Sequence, residues 1–129
     1  MKVLAICTGH TCRSPMIMAL VKKLHPQLLV DSAGIYACGE EISENSVKAL
    51  EQEGIDLSGY ISKPLTQDML DKADLIITAT KEHAALIKNF LNGQKVISLD
   101  CKDPFGQDLN TYIKTKDEIL QKLKEISFD

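Results

Sequence analysis

Several features that mark whole classes of protein are missing from this chain. Its 129 residues include four cysteines but no Cys-x2-Cys pair, which argues for free thiols and against a disulfide scaffold or a structural zinc site. No lysine-rich tract occurs, and 15 basic against 18 acidic side chains give a net charge of −3. That balance leaves no electrostatic footprint for nucleic acid. The apolar opening, Met1 to Ile6, has only a strand's length, too short for a secretory signal or a membrane span; a cytoplasmic protein with no membrane partner is expected. Linkers, repeats and low-complexity stretches are also missing. What is present, 44% hydrophobic residues, can bury one core, and a single domain over residues 1–129 is expected.

Strand and helix patterns alternate along the chain. Lys2-Val3-Leu4-Ala5-Ile6 suits a buried parallel strand. Pro15 to Leu24 follows with Met16, Ala19, Leu20 and Leu24 at core spacing, and His25-Pro26 ends that helix. Leu28 to Val30 reads as a second strand, running into Asp31-Ser32-Ala33-Gly34. Ser43 caps a helix with Val47 and Leu50 on its apolar face, and Gly54 stops it. Thr66 caps a short helix through Met69 and Leu70; Leu75 to Ala79 is a strand; Lys81 to Leu91 is a helix closed by Asn92-Gly93. Val96 to Leu99 is the fourth strand and Leu109 to Ile126 the last, amphipathic helix. The expected fold is α/β, a four-stranded parallel sheet with helices on both faces, whose ligand binds beyond the carboxyl ends of the strands.

Between the first strand and the first helix lies Cys7-Thr8-Gly9-His10-Thr11-Cys12, followed by Arg13-Ser14-Pro15. Ser-Pro starts a helix, with Pro preset for the first turn. At such a junction free backbone N–H groups and the helix dipole favour a tetrahedral oxyanion. Cys7 and Arg13 bracket the loop, so a thiolate at its base can attack while a planar guanidinium binds two oxygens from above. The same positive setting should keep Cys7 ionised, and Gly9 lets the backbone turn inward. A cysteine ending a buried strand is more often a small core side chain, and an arginine at a helix start is more often solvated; the strand-loop-helix context carries the functional reading. Cys7, His10 and Cys12 could also be imagined as metal ligands, but Arg13 would oppose a cation and a fourth ligand is not evident. No metal or organic cofactor is expected.

The loop after the fourth strand reads Asp100-Cys101-Lys102-Asp103-Pro104-Phe105-Gly106. A departing group needs a proton donor opposite the nucleophile, and Asp103 is the candidate, with Pro104 fixing the backbone and Phe105 expected to desolvate the carboxyl. The plainer meaning of Asp-Pro is the start of a turn.

These segments resemble the low-molecular-weight protein tyrosine phosphatases, whose loop reads Cys-x-Gly-Asn-x-Cys-Arg-Ser-Pro and whose acid lies in a late Asp-Pro-aromatic segment. The resemblance spans Ile6 to Pro15, Asp31 to Gly34, Pro64-Leu65-Thr66, Ala73-Asp74-Leu75, Asp103 to Gly106, Tyr112, and Thr115-Lys116-Asp117-Glu118. It implies that Cys7 forms a phosphocysteine, Arg13 clamps the oxyanion, Ser14 supports the thiolate, and Asp103 serves as acid and then as base for water. Thr8 to Cys12 would bind the phosphate, and Cys12 would be a second thiol able to trap oxidised Cys7. The partners implied are a phosphorylated protein and inorganic phosphate as product. The chain has His10 where the family has Asn, and Tyr60 where the family has His, so a His10–Tyr60 hydrogen bond with Ser32 nearby is expected to hold the loop. Tyr112 is expected as a surface aromatic of the last helix.

Substrate choice should rest on Thr11, Tyr36, Cys38 and Phe105. Tyrosine-directed members carry a bulky aliphatic at the Thr11 position and often an aromatic at the Cys38 position. Thr11 therefore resembles the bacterial protein-arginine phosphatases, and phosphoarginine is favoured over phosphotyrosine. Two other readings are arsenate reduction, for which Cys38 and Cys101 are the spare thiols but lack the relay spacing, and a phosphate-binding adaptor disabled by His10.

Overall fold

The computed structural model describes residues 1–8, 13–37 and 39–128. Strand β1 (Lys2–Cys7) is buried from Val3 onward, as a run without polar side chains must be when both sheet faces are covered. It lies inside a four-stranded parallel sheet of order β2-β1-β3-β4, formed with β2 (Leu29–Gly34), β3 (Leu75–Thr78) and β4 (Lys95–Ser98). Successive side chains of β1 serve opposite faces. Val3, Ala5 and Cys7 join the larger cluster, with α1 (Arg13–Leu24), α2 (Glu44–Glu51) and α5 (Leu109–Lys124); Leu4 and Ile6 join the smaller one, with α3 (Gln67–Lys72) and α4 (Lys81–Ile87). The expected α/β architecture is the observed one.

Strand order reverses between β1 and β3, so the connections leaving those strands part toward opposite faces and open a crevice at the carboxyl edge. The register sets its level. Cys7 pairs with Gly34, and Ile6, Thr78 and Ser98 align across the sheet, so the segments that follow these strands emerge together.

Four elements differ from the sequence expectation. β2 runs on through Gly34, because Asp31 and Ser32 sit in an edge strand that ladders with β1 along its whole length. Helix α1 is not one-sided: every residue from Arg13 to Val21 is buried, since the helix lies between the sheet and α2 and α5. Lys81 to Leu91 is not one α-helix; α4 ends at Ile87 and tightens into a 3-10 turn, Lys88–Phe90, before the turn into β4. Tyr112 is not at the surface but 3% exposed, on the face of α5 that carries Thr115, Lys116, Ile119 and Leu123 inward.

Lys116 fixes that face. Its ammonium is buried and donates to Glu53 Oε2 at 2.8 Å, Asp117 Oδ1 at 2.6 Å and Gln52 Oε1 at 3.3 Å, at the carboxyl end of α2 where a cation is favoured. The hydrogen bond from Lys116 holds the Glu53 carboxyl below its ordinary value, against the opposing effect of burial. A depressed carboxylate stabilises the fold above its unfolded value and loses that contribution as pH falls through the folded one. Glu53→Gln is therefore expected to lower the urea-unfolding free energy by about 1–2 kcal/mol near neutrality, with wild type and variant converging in acid; a constant difference across the titration would contradict the pairing.

Candidate active site

Cys7 closes β1 at the crevice and is 3% exposed. Its Sγ lies 3.1 Å from Ser14 Oγ in the first turn of α1, a hydroxyl able to donate to a thiolate there. Beside it Arg13 is 5% exposed. Nη1 donates to the Cys101 carbonyl at 3.0 Å, and Nη2 stands 3.6 Å from Asp103 Oδ2. A guanidinium carries five N–H donors. Among the described residues these two contacts leave it with capacity for an anion.

The loop that brings Asp103 to Arg13 is held from two sides. Lys122 of α5 donates to Leu99 O at 2.7 Å and Asp100 O at 3.3 Å, and the Cys101 N–H donates to Ala79 O at 2.9 Å. Asp100 between them has φ 57°, the one left-handed non-glycine among the described residues, a conformation aspartate tolerates better than most side chains. Asp103 Oδ1 accepts the Phe105 N–H at 3.0 Å. The plain Asp-Pro turn and the site position thus coexist in one residue. Phe105 does not shield the carboxyl: Asp103 remains 40% exposed and faces Arg13, while Phe105 is 55% exposed. The expected apolar cover is replaced by an ionic contact.

The crevice forms a cleft of about 550 Å³ to which Thr8, Arg13 and Asp103 contribute. Its other walls are residues that the sequence reading missed: Thr80, Glu82, His83, Asp100 and Lys102, together with Cys101. His83 is 6% exposed, with Nε2 at 2.7 Å from Thr8 Oγ1. Burial first, and then the Arg13 guanidinium, hold its ring below the ordinary histidine value. The Cys101 thiol is pushed up to about 11 by burial. Thr80 could have been found as the cap after the third strand at the switch point; nothing local singles out His83.

Ser32 and Tyr60 are brought together, their hydroxyl oxygens 2.5 Å apart, so the expected support by Tyr60 has Ser32 as its partner. Tyr36 is 67% exposed and anchored at the loop base by its N–H to Thr8 O at 2.7 Å. Gly9, His10, Thr11, Cys12 and Cys38 lie outside the described residues, and with them the His10–Tyr60 contact, the trapping role of Cys12 and the metal set with Cys7. Among the described residues no group of three or more His, Cys, Asp or Glu side chains is arranged to hold a metal ion, and no helix is long and apolar enough to cross a membrane.

The family model for low molecular weight phosphotyrosine protein phosphatase matches residues 2–127. This chain belongs to that family. A protein-arginine-phosphatase of Bacillus subtilis (strain 168) is 32% identical over 143 residues, covering 98% of this chain and 95% of that one. Arsenate reductase 1 of Bacillus cereus (strain ATCC 10987 / NRS 248) is 34% identical over 121 residues, covering 93% and 89%. The low molecular weight protein-tyrosine-phosphatase PtpB of Staphylococcus aureus is 33% identical over 138 residues, covering 98% and 99%. Among solved structures, a serine-for-cysteine mutant of YwlE arginine phosphatase with a phosphorylated active site serine matches with a TM-score of 0.89 at 32% identity, over 97% of this chain and 92% of that one. As a member of this phosphatase family the chain is a hydrolase of phosphoproteins. Three activities occur among relatives of nearly equal identity, so identity alone does not choose the substrate.

Lys122→Met is expected to free the carbonyls of Leu99 and Asp100, costing about 1–2 kcal/mol and accelerating amide exchange in the segment from Leu99 to Asp103. Unchanged exchange there would show that Lys122 does not hold this loop.

Proposed function

We propose that this chain is a cysteine-dependent protein phosphatase that removes phosphate from phosphoarginine side chains. The observation that supports the chemistry most directly is the buried Arg13 guanidinium between the Cys101 carbonyl and Asp103, one residue before the hydroxyl that touches the Cys7 sulfur. In the reaction, Cys7 Sγ attacks phosphorus and the bond from phosphorus to the guanidino nitrogen breaks. Arg13 and the loop from Thr8 to Cys12 hold the non-bridging oxygens, and Asp103 gives its proton to the departing nitrogen. Ser14 steadies the sulfur as nucleophile and later as leaving group. Water then attacks the phosphocysteine, Asp103 takes its proton, the S–P bond breaks, and inorganic phosphate leaves.

The character of the cleft supports phosphoarginine over phosphotyrosine. The described residues that line it include three carboxylates, Glu82, Asp100 and Asp103, beside the cations Arg13 and Lys102, and no Phe, Tyr or Trp. Carboxylates suit a guanidino group, whereas a phenyl ring gains more between aromatic walls. Tyr36 and Phe105 are highly exposed and do not line this cleft. Thr11, smaller and more polar than the aliphatic of tyrosine-directed members, points the same way, as does the arginine phosphatase relative. Phosphotyrosine remains the second reading, favoured by the family description and the PtpB relative. Arsenate reduction is disfavoured because the buried Cys101 thiol, pushed up to about 11, is protonated at neutral pH and a poor relay nucleophile.

The test is kcat/KM on a phosphoarginine peptide and a phosphotyrosine peptide of the same flanking sequence, with Cys7→Ser as blank and Thr11→Ile as specificity probe. The expected result is a preference of about tenfold or more for phosphoarginine that Thr11→Ile reduces. A phosphotyrosine preference would overturn the substrate assignment, and turnover by Cys7→Ser equal to wild type would overturn the chemistry.

A further inference from the structure

After β3 the chain turns through Ala79 and Thr80 into α4. Thr80 Oγ1 caps that helix, accepting the His83 backbone N–H at 3.3 Å. The His83 ring lies between two hydroxyls: Nδ1 is 3.0 Å from Thr80 Oγ1, and Nε2 is 2.7 Å from Thr8 Oγ1. Thr8 is the first residue after β1, so this short bond spans the crevice at the switch point. Capping α4 requires only Thr80 and the backbone N–H. The bond to Thr8 adds nothing to the cap and instead reaches the phosphate loop.

The ring is flanked by Arg13 of α1, by Glu82 of its own helix and by Asp103 of the loop after β4; burial and Arg13 keep it neutral at physiological pH while the two carboxylates oppose them. A neutral ring has one donor and one acceptor, which leaves two arrangements. In one, Thr80 O–H donates to Nδ1, Nε2–H donates to Thr8 Oγ1, and the Thr8 hydroxyl hydrogen is left for the cleft. In the other, Thr8 spends its hydrogen on Nε2 and turns only lone pairs toward the cleft. An anion drawn in by Arg13 selects the first, and bonds aligned in one direction polarise one another.

We propose that His83 is a positioning residue: through Nε2–H it fixes the Thr8 hydroxyl as a donor to a phosphoryl oxygen of the substrate. The role rests on the phosphatase reading above. His83 acts only through Thr8. A donor held toward the oxygens where charge is redistributed during transfer contributes to turnover more than to substrate affinity.

Two amides separate this role from a structural one, because the side-chain nitrogen of Gln, a donor, reaches about as far as Nε2, and the side-chain oxygen of Asn, an acceptor for the Thr80 O–H, about as far as Nδ1. With p-nitrophenyl phosphate as probe, His83→Asn is expected to keep the Thr80 contact, lose the Thr8 bond and lower kcat about tenfold with little change in KM. His83→Gln is expected to restore most of that loss. Thr8→Val should cost about as much as His83→Asn, and the double variant no more than either alone, the signature of one shared interaction. Thermal midpoints identify any variant that has lost its fold, and the Asn–Gln difference is read between two variants of equal midpoint. Wild-type kcat in His83→Asn, equal losses in the Asn and Gln variants, or additive losses with Thr8→Val would each overturn the role while wild type remains active. Absence of turnover in wild type would overturn the phosphatase reading itself, and the positioning role with it.

Discussion

A guanidinium taken out of water needs negative charge or oriented dipoles around it, and the candidate site is organised by how Arg13 meets that need. The side chain is 5% exposed, with one carbonyl at 3.0 Å and one carboxylate oxygen at 3.6 Å. Burying a cation is costly unless it is paired. Among the described residues these two contacts leave guanidinium N–H groups able to take an anion's oxygens. The same cation recruits the loop after β4, since Cys101 and Asp103 are both drawn to it, and Lys122 secures that loop from the other end.

The parallel sheet explains why contributions from both its faces converge. Cys7 and Thr8 are consecutive, so their side chains diverge as a strand requires. Cys7 turns toward α1 and meets Ser14, while Thr8 turns toward α4 and meets His83. The reversal of strand order between β1 and β3 leaves room for both partners. A hydroxyl beside the sulfur and a hydroxyl beside the cleft are thus each oriented by a different layer of the molecule.

Much of this was legible in the sequence because it is encoded locally. Short apolar runs in the strands, Ser-Pro at a helix start, the Cys-x5-Arg spacing and Asp-Pro after the fourth strand each combine short-range chemistry with a topological position. The sequence reading pairs Tyr60 with His10 and sets Ser32 only nearby, whereas among the described residues the Tyr60 hydroxyl meets that of Ser32. What escaped depends on tertiary contact alone. His83 sits on a helix in an unremarkable Lys-Glu-His sequence and acquires meaning only because α4 packs beside the end of β1. Lys122 reads as one of several lysines of α5 until the carbonyls of Leu99 and Asp100 turn toward it. Tyr112 was placed at the surface because helix periodicity alone does not say that the face it shares with Lys116 turns inward. The apolar cover expected of Phe105 gave way to Arg13, whose charge outweighs an aromatic edge as a neighbour for a carboxylate.

The central claim, that Cys7 receives the phosphoryl group, is tested most directly by rapid acid quench of the protein mixed with a phosphoarginine peptide, followed by mass mapping of the modified residue in wild type and in Asp103→Asn. Asp103→Asn lacks both the acid for the first step and the base for the second, so the adduct is expected to form and to decay more slowly than in wild type. A phosphoryl adduct on Cys7 that appears and then decays as inorganic phosphate is released, both more slowly in Asp103→Asn, is the expected result. Turnover with no adduct on Cys7, or an adduct on another residue, would contradict the account.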